Sequence, residues 1–330
     1  MSIENQEKLA DLNVGDEFEG KLLIDKLDFK VARNGKPFVS ITLKDDTLDL
    51  SGNIWDTSES NFNFETGEVV YVYANISTYM NNKQLEIKNI EKLKEGDEDQ
   101  NPYLFLKKAP MSEKEMQDEI KYFLNIISNG NKKYIKIIKY LFEKNDKKIQ
   151  KEFFVHPAAK AVHHNFLGGL SYHTLRMLKT AEALLDIYKI LNPALLLTGT
   201  LIHDLAKIEE LKGIVDTEYS VEGSLLGHIS IADGWIVEAS IALGYNQDKD
   251  EDIVLLRHLI LAHHGKNEWG SPVVPKVPES AVLHAIDRLD AQMVQFEDIY
   301  EVSNEGEMTE KVFGLQTNTY KAKGNNHILD

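Results

Sequence analysis

The stretch that decides how this chain is read is "LIHDLAKIEEL", residues 201–211. Leu201, Ile202, Leu205 and Ile208 recur at helical spacing and make one apolar face. Set among them are His203 and Asp204, side by side, with Lys207 one turn further on. On a helix, neighbouring side chains project about 100° apart, so His203 and Asp204 reach one cleft from adjacent directions. Lys207 follows Asp204 by three positions and shares its face. On these residues alone two readings stay open. Either they are a hydrogen-bonded core pair beside a solvated lysine, or they hold a metal ion and a phosphate.

The other histidines weigh on that choice. All eleven lie from His156 onward. Five positions fall on, or at the end of, apolar helical segments: His173, the pair His203–Asp204, His228, the pair His263–His264, and Asp287. Burying such a set in one bundle without partners costs several kcal/mol, and a shared cation removes that cost. Bundle cores are where facing helices build metal sites. Imidazole and carboxylate without thiolate suit manganese, iron, cobalt or zinc. A bridging carboxylate admits two ions about 3.5–4 Å apart. Lys207 then either holds a phosphate oxygen or carries its charge out to solvent. Asp290, three residues after Asp287, reads as the partner of a ligand histidine or of the substrate. His156, His258 and His284 read as hydrogen-bonded core or boundary residues.

Composition bounds the rest. The chain has 330 residues, 42% hydrophobic and 27% charged, which suits a soluble protein of two domains. It has no cysteine, so disulfides, thiolate metal sites and cysteine nucleophiles are excluded. The opening "MSIENQEKLADLNVGDEFEG" lacks the basic and apolar regions of a signal peptide, and the expectation is a cytoplasmic protein without a membrane span. The formal charge of −16 argues against general attraction to nucleic acid, though not against a local basic track or metal ions.

Up to about residue 95, β-rich runs such as "PFVSITLKD" and "EVVYVYANISTY" alternate with turns such as "RNGKP" and "ETG". Five such runs predict a small closed barrel, an OB-fold, with a β-sandwich as the alternative. Phe29, Phe38, Trp55, Tyr71, Tyr73 and Tyr79 are expected mostly to fill its core, with base stacking as the other use. "KEGDEDQNPY" (94–103) reads as a hinge, and Ser112 with Glu115 as a capping box. Residues 121–151 hold nine lysines against two acids, with Lys132, Lys136 and Lys139 on one helical face. That face is either simply solvated or a local track for phosphates. From 155 to 303 the chain is helix after helix, followed by a polar tail expected to be irregular and to fold back.

The order His173, His203–Asp204, His228, His263–His264, Asp287 resembles the HD-domain metal-dependent phosphohydrolase superfamily. More narrowly, "HHNFLGGLSYHTLRM", "LIHDLAKIEEL", "LLGHISIA" and "LAHHGKNEWGSPVVPKVPESAVLHAIDRLDAQ" are similar to the YhaM-type 3′→5′ exoribonucleases, which pair an N-terminal OB-fold with a C-terminal HD domain. The resemblance covers nearly the whole chain. It implies an α and β architecture of several domains: an OB-barrel at 1–95, a helical lysine-rich connector at 96–154, and an all-α HD domain with its tail at 155–330. It places metal ligands on His173, His203, Asp204, His228, His263 and Asp287, with His264 as a further ligand or a supporting group. His164, Lys266 and Glu268 match family stretches near the cleft and are expected, with Lys207 and Asp290, to touch substrate. The implied activity is hydrolysis of single-stranded RNA, and secondarily of single-stranded DNA, from the 3′ end to nucleoside 5′-monophosphates. Asp204 would orient two divalent ions, manganese favoured, and Lys207 would stabilise phosphate charge. A homo-oligomer is compatible with the sequence. Two further readings are a nucleotide or cyclic-dinucleotide phosphohydrolase, and an OB-fold nucleic-acid-binding protein with a non-catalytic HD domain.

Overall fold

The computed structural model describes residues 3–80, 82–94, 96–159, 164, 166–213, 215 and 217–324. These divide into two units, residues 1–108 with 213–217, and residues 109–212 with 218–330.

The first unit is a barrel of β1 (Glu17–Val31), β2 (Pro37–Lys44), β3 (Asp49–Trp55), β4 (Val69–Tyr79) and β5 (Asn82–Lys92). The strands close in the order β1-β2-β3-β5-β4, with β3 and β5 parallel, which is the OB-fold. Alternation makes it: Val39, Ile41 and Leu43 of β2 and Val70, Val72, Ala74 and Ile76 of β4 point inward. A register shift between Ile24 and Lys26 bends β1 so that it pairs with both β4 and β2. Gly52 is required where β3 meets β5, because a Cβ there would lie 2.7 Å from the Leu85 carbonyl oxygen. Between β3 and β4, Phe62 and Phe64 pack against the barrel core.

One expectation is overturned here. None of Phe29, Phe38, Trp55, Tyr71, Tyr73 and Tyr79 belongs to the buried core, which is aliphatic apart from Phe18. The reason is parity, since Phe38, Trp55, Tyr71, Tyr73 and Tyr79 occupy the outward positions of their strands. Phe38 and Trp55 are register partners, and their ring centroids stand 4.9 Å apart on the outer face of β2 and β3.

The second unit is helical: α1 (Glu113–Gly130), α2 (Lys132–Phe153), α3 (Gly169–Ile187), α4 (Pro193–Ile202), α5 (Lys207–Glu210), α6 (Val221–Ala242), α7 (Glu251–Ala262) and α8 (Pro278–Val302). The Ser112–Glu115 capping box opens α1. Phe123 and Ile127 of α1 and Tyr134 and Ile137 of α2 share one core with Leu196, Leu197 and Leu259. The lysine-rich segment is therefore part of this unit's packing. On α2, Lys133 pairs with Asp250 and Lys144 with Glu238, while Lys132, Lys136 and Lys139 are exposed. Every residue of α4 from Ala194 to Ile202 is buried, as expected of a helix apolar on all sides. By length and composition α6 could cross a membrane, but its Ala232, Trp235, Ile236 and Ala239 belong to the helical core. The tail is more ordered than its composition suggests. A hairpin of two strands, Met308–Val312 and Thr317–Tyr320, is tied to α8 where the Tyr300 hydroxyl donates to the Tyr320 carbonyl at 2.8 Å. Residues 325–330 lie outside the described residues.

Candidate metal centre

"LIHDLAKIEEL" is not one continuous helix. α4 ends at Ile202, and the next turns tighten: Leu205 N–H donates to the Ile202 carbonyl at 3.2 Å and Lys207 N–H to that of Asp204 at 2.9 Å. At three residues per turn, positions i and i+3 eclipse. Lys207 is thereby set over Asp204, its Nζ 2.7 Å from Oδ2.

His203 stands just past the last helical residue, where α-helix carbonyls lack intrahelical partners. Its Nδ1 lies 2.9 Å from the Thr200 carbonyl oxygen. The end of α7 repeats the device, with His263 Nδ1 2.7 Å from the Ile260 carbonyl. A carbonyl only accepts, so Nδ1 carries the proton in both rings and the Nε2 lone pair faces inward. His228 is placed differently. Gly227 breaks α6 at φ +70°, and the freed His228 backbone N–H donates to Glu210 Oε1 at 3.0 Å. The His228 Nδ1–H also donates to the Glu210 carboxylate, with both oxygens at 3.0 Å. His173 on α3 donates from Nδ1 to Asp290 Oδ2 at 2.7 Å, across to α8. The same oxygen accepts from His164 Nε2 at 2.7 Å, and Oδ1 accepts from Arg176 Nε at 2.6 Å.

These braces converge four imidazoles on the Asp204 carboxylate. Oδ2 lies 3.4 Å from His203 Nε2 and 3.7 Å from His173 Nε2; Oδ1 lies 3.4 Å from His228 Nε2 and 3.8 Å from His263 Nε2. Asp287 Oδ1 stands 3.4 Å from His173 Nε2. Such spacings are long for hydrogen bonds. They suit ligands sharing an ion, since two donors each about 2.1 Å from it stand about 3.0–3.5 Å apart. The Nε2 atoms of His203, His228 and His263 are buried without a hydrogen-bond partner among the described residues. An unsatisfied buried nitrogen is costly, and a cation would satisfy all three. The donors form two close groups, His173–His203–Asp204 and His228–His263–His264. With nitrogen and oxygen donors and no cysteine, the residues fit a borderline-to-hard divalent cation. A third close group, His164–His173–Asp290, is held together by N–H donors to Asp290 and braces the His173 ring.

The electrostatics keep most of these groups in ligating form. Burial pushes the Asp204 carboxyl up, but Lys207 and His203 outweigh it and hold it well below the usual range. Asp287 is lowered too, burial being overcome by the neighbouring His173 and His203 rings. Burial above all, with the neighbouring His203 and His264 rings, drives His263 well below an ordinary histidine, so its ring is neutral. Burial also opposes the charge on Lys207, yet Asp204 raises its pKa overall. His173 is raised to about 9, burial being outweighed by Asp287 and Asp290, so a cation there competes with a proton for Nε2.

Of the residues singled out in the sequence, His173, His203, Asp204, Lys207, His228, His263, His264 and Asp287 come together. His264 is half-buried, its Nδ1 donating to the Trp269 carbonyl at 2.9 Å and its ring 5.2 Å from that of His228. Lys266 and Glu268 do not join the cluster; both are exposed, with Nζ and Oε1 3.5 Å apart. His164 and Asp290 lie behind His173, only 1% and 8% exposed, and spend polar atoms on each other rather than facing a cleft. His284 donates from Nδ1 to the His263 carbonyl at 2.9 Å, and His258 Nε2 accepts from Lys276 N–H at 2.9 Å. Sequence reasoning missed Glu210 and Arg176, which brace His228 and Asp290. A usable signal was Gly227, an isolated glycine directly before a histidine in an apolar helix.

Known proteins similar to this chain share a common family. A family model described as the HD domain matches residues 170–292. The 3′-5′ exoribonuclease YhaM of Listeria welshimeri serovar 6b is 38% identical over 316 residues, 96% of this chain and 98% of that protein. The proteins of the same name from Geobacillus sp. and Bacillus subtilis are each 39% identical over 308 residues, 93% of this chain, and 92% and 95% of theirs. Among solved structures, the second OB-fold domain of replication protein A from Methanococcus maripaludis is similar at 18% identity and TM-score 0.23, over 28% of this chain and 98% of that one. Relatives this alike over nearly the full length of both partners place the chain in the YhaM family of 3′-5′ exoribonucleases.

Proposed function

We propose that this protein is a divalent-metal-dependent 3′→5′ exoribonuclease that hydrolyses single-stranded RNA to nucleoside 5′-monophosphates, with single-stranded DNA as a secondary substrate. The observation that carries this reading is the convergence of four imidazoles and two carboxylates on one buried point with Lys207 beside it. We assign metal ligation to His173, His203, Asp204, His228, His263 and Asp287, with His264 completing the second group. The two oxygens of Asp204 face different histidine pairs, so these residues would hold divalent cations, two being the favoured count and manganese the favoured metal.

When bound, such ions supply Lewis acidity and lower the pKa of water. The chain's own residues do the rest. Lys207, kept cationic by Asp204, is placed to stabilise charge growing on the phosphoryl oxygens. Asp204 orients the centre, and Glu210 and Asp290 lock the His228 and His173 rings so that no ligand must reorganise during reaction. The barrel of residues 1–95 would hold the upstream strand, with Phe38 and Trp55 offering an outward stacking surface. Residues 155–330 would carry the hydrolysis. The 96–154 segment would add exposed Lys132, Lys136 and Lys139 as a phosphate track in an otherwise acidic chain.

Digestion of a 5′-labelled RNA across manganese, cobalt, zinc and magnesium tests this. A ladder shrinking from the 3′ end is expected, strongest with manganese and abolished by His203→Ala with Asp204→Ala. Intact RNA alongside cleavage of free or cyclic nucleotides would overturn it.

A further inference from the structure

Beside the centre lies a loop that the reaction as described leaves unused. It runs from Gly265 to Gly270, both at positive φ (+79° and +88°). Gly265 is sealed against α8, for a Cβ there would fall 2.4 Å from atoms of the His284 ring. Trp269 N–H and Ser271 N–H both donate to the Lys266 carbonyl, at 3.0 and 3.1 Å. The Ser271 hydroxyl donates to the Leu261 carbonyl at 3.0 Å, which ties the far end to α7. The loop is thus a fixed platform, and on it Trp269 remains 43% exposed.

Its backbone touches the centre directly, since the Trp269 carbonyl is the acceptor that holds the His264 ring. Two cations attend the indole. Lys266 Nζ lies 4.3 Å and the Arg288 guanidinium carbon 5.7 Å from the ring centroid. Arg288 directly follows Asp287 on α8. In a chain of net charge −16, no carboxylate among the described residues stands within ion-pair distance of Arg288, and Lys266 has only the loose contact with Glu268. A guanidinium left without an acid next to a would-be metal ligand is disposed to receive an anion from outside. An exposed indole between two cations suits a base with its phosphate, because stacking serves any base and the cations serve the backbone.

We propose that Trp269, Lys266 and Arg288 form a nucleotide subsite next to the metal centre. Trp269 stacks a base flanking the scissile phosphate, and Lys266 and Arg288 take backbone phosphate oxygens. The inference rests on the reading of the helical unit as a nuclease. Trp269 is a substrate-positioning contact in it, so its loss falls on KM more than on kcat.

The test pairs a protein change with a substrate change. Full-length protein, Trp269→Ala and Trp269→Phe are assayed on a 5′-labelled RNA and on the same RNA with an abasic nucleotide at the 3′-terminal or penultimate position. On normal RNA, Trp269→Ala should raise KM about tenfold, from the range of base–aromatic stacking, with kcat within about twofold, while Trp269→Phe changes KM less. With the abasic nucleotide at the stacked position, protein and variant should become equal. The variants' affinity for a labelled tri-adenylate in chelator, read by anisotropy, gives a measure independent of turnover. A parent that binds but never cleaves sinks the nuclease reading and leaves the subsite standing if Trp269→Ala binds more weakly. Equal affinity of parent and Trp269→Ala, or an equal loss on abasic and normal RNA, overturns the subsite. Unchanged far-ultraviolet circular dichroism and melting of each variant separate these outcomes from misfolding.

Discussion

Glu210 shows how a single side chain can be decisive yet look ordinary. In "KIEEL" it is one of two adjacent acids on a short helical turn, and nothing local separates it from Glu209. Its role appears only because the chain returns 18 residues later to set His228 against it, where it accepts from both the backbone N–H and Nδ1–H. Burial raises its carboxyl, but the hydrogen bond and charge of His228 lower it overall, so it is anionic and keeps the ring in one tautomer. Partners of this kind are worth about 10–100-fold in metal affinity. Glu210→Gln should therefore weaken manganese binding by about that range in calorimetric titration of chelator-stripped protein, whereas Glu209→Gln should not. Equal affinity in all three proteins would show that His228 needs no anionic brace. His203, Asp204 and His263 were legible for the opposite reason: their type and their place in apolar runs are visible without any partner.

Helix ends explain where those ligands sit. His203 and His263 each follow the final residue of an apolar helix and take up a carbonyl three residues back. His228 follows a glycine break inside α6. Sequence periodicity finds such helices but runs straight through their ends, which is why "LIHDLAKIEEL" reads as one helix and folds as two. The strands give a parallel lesson. Strict alternation decides inside from outside, and the large aromatics of β2, β3 and β4 lie on the outward parity although their size suggested core. Phe38→Ala with Trp55→Ala should leave the barrel's melting nearly unchanged, because neither ring is in its core. The same pair should lower single-stranded RNA affinity about 10–100-fold, at about 1–3 kcal/mol per stacked base, read by fluorescence anisotropy. A large fall in melting temperature with no loss of affinity would assign both rings a structural role.

Across the whole chain, buried ionisable groups couple stability to pH. Burial leads in lowering His263, so its folded pKa is depressed below the unfolded value of about 6.5. Its contribution is present above about pH 6.5 and is lost as pH falls through the folded value. His173 runs the other way: raised to about 9 by Asp287 and Asp290 against burial, it stabilises fully below its unfolded value and progressively less as pH climbs toward 9. Calorimetry in chelator should therefore give a melting temperature that peaks between these limits and falls on both sides. Excess manganese should raise the whole curve and flatten its alkaline side, because an ion on Nε2 displaces the proton whose loss costs stability. A chelated profile flat from pH 5 to pH 10 would mean that neither ring is held as described.

Local pattern was sufficient for the barrel, the helical region and most of the cluster. Alternation, helical period and residue chemistry are properties of short segments and survive without knowledge of the fold. The nitrogen each imidazole turns inward, the braces Glu210 and Asp290, the placing of Arg288 beside Trp269 and the exposure of the barrel aromatics could be read only after folding. Each depends on side chains that the chain brings together from far apart, as His173 meets Asp290 across 117 positions. Hydrogen bonds and burial act over ångströms in space, and sequence spacing measures that distance only within a single element.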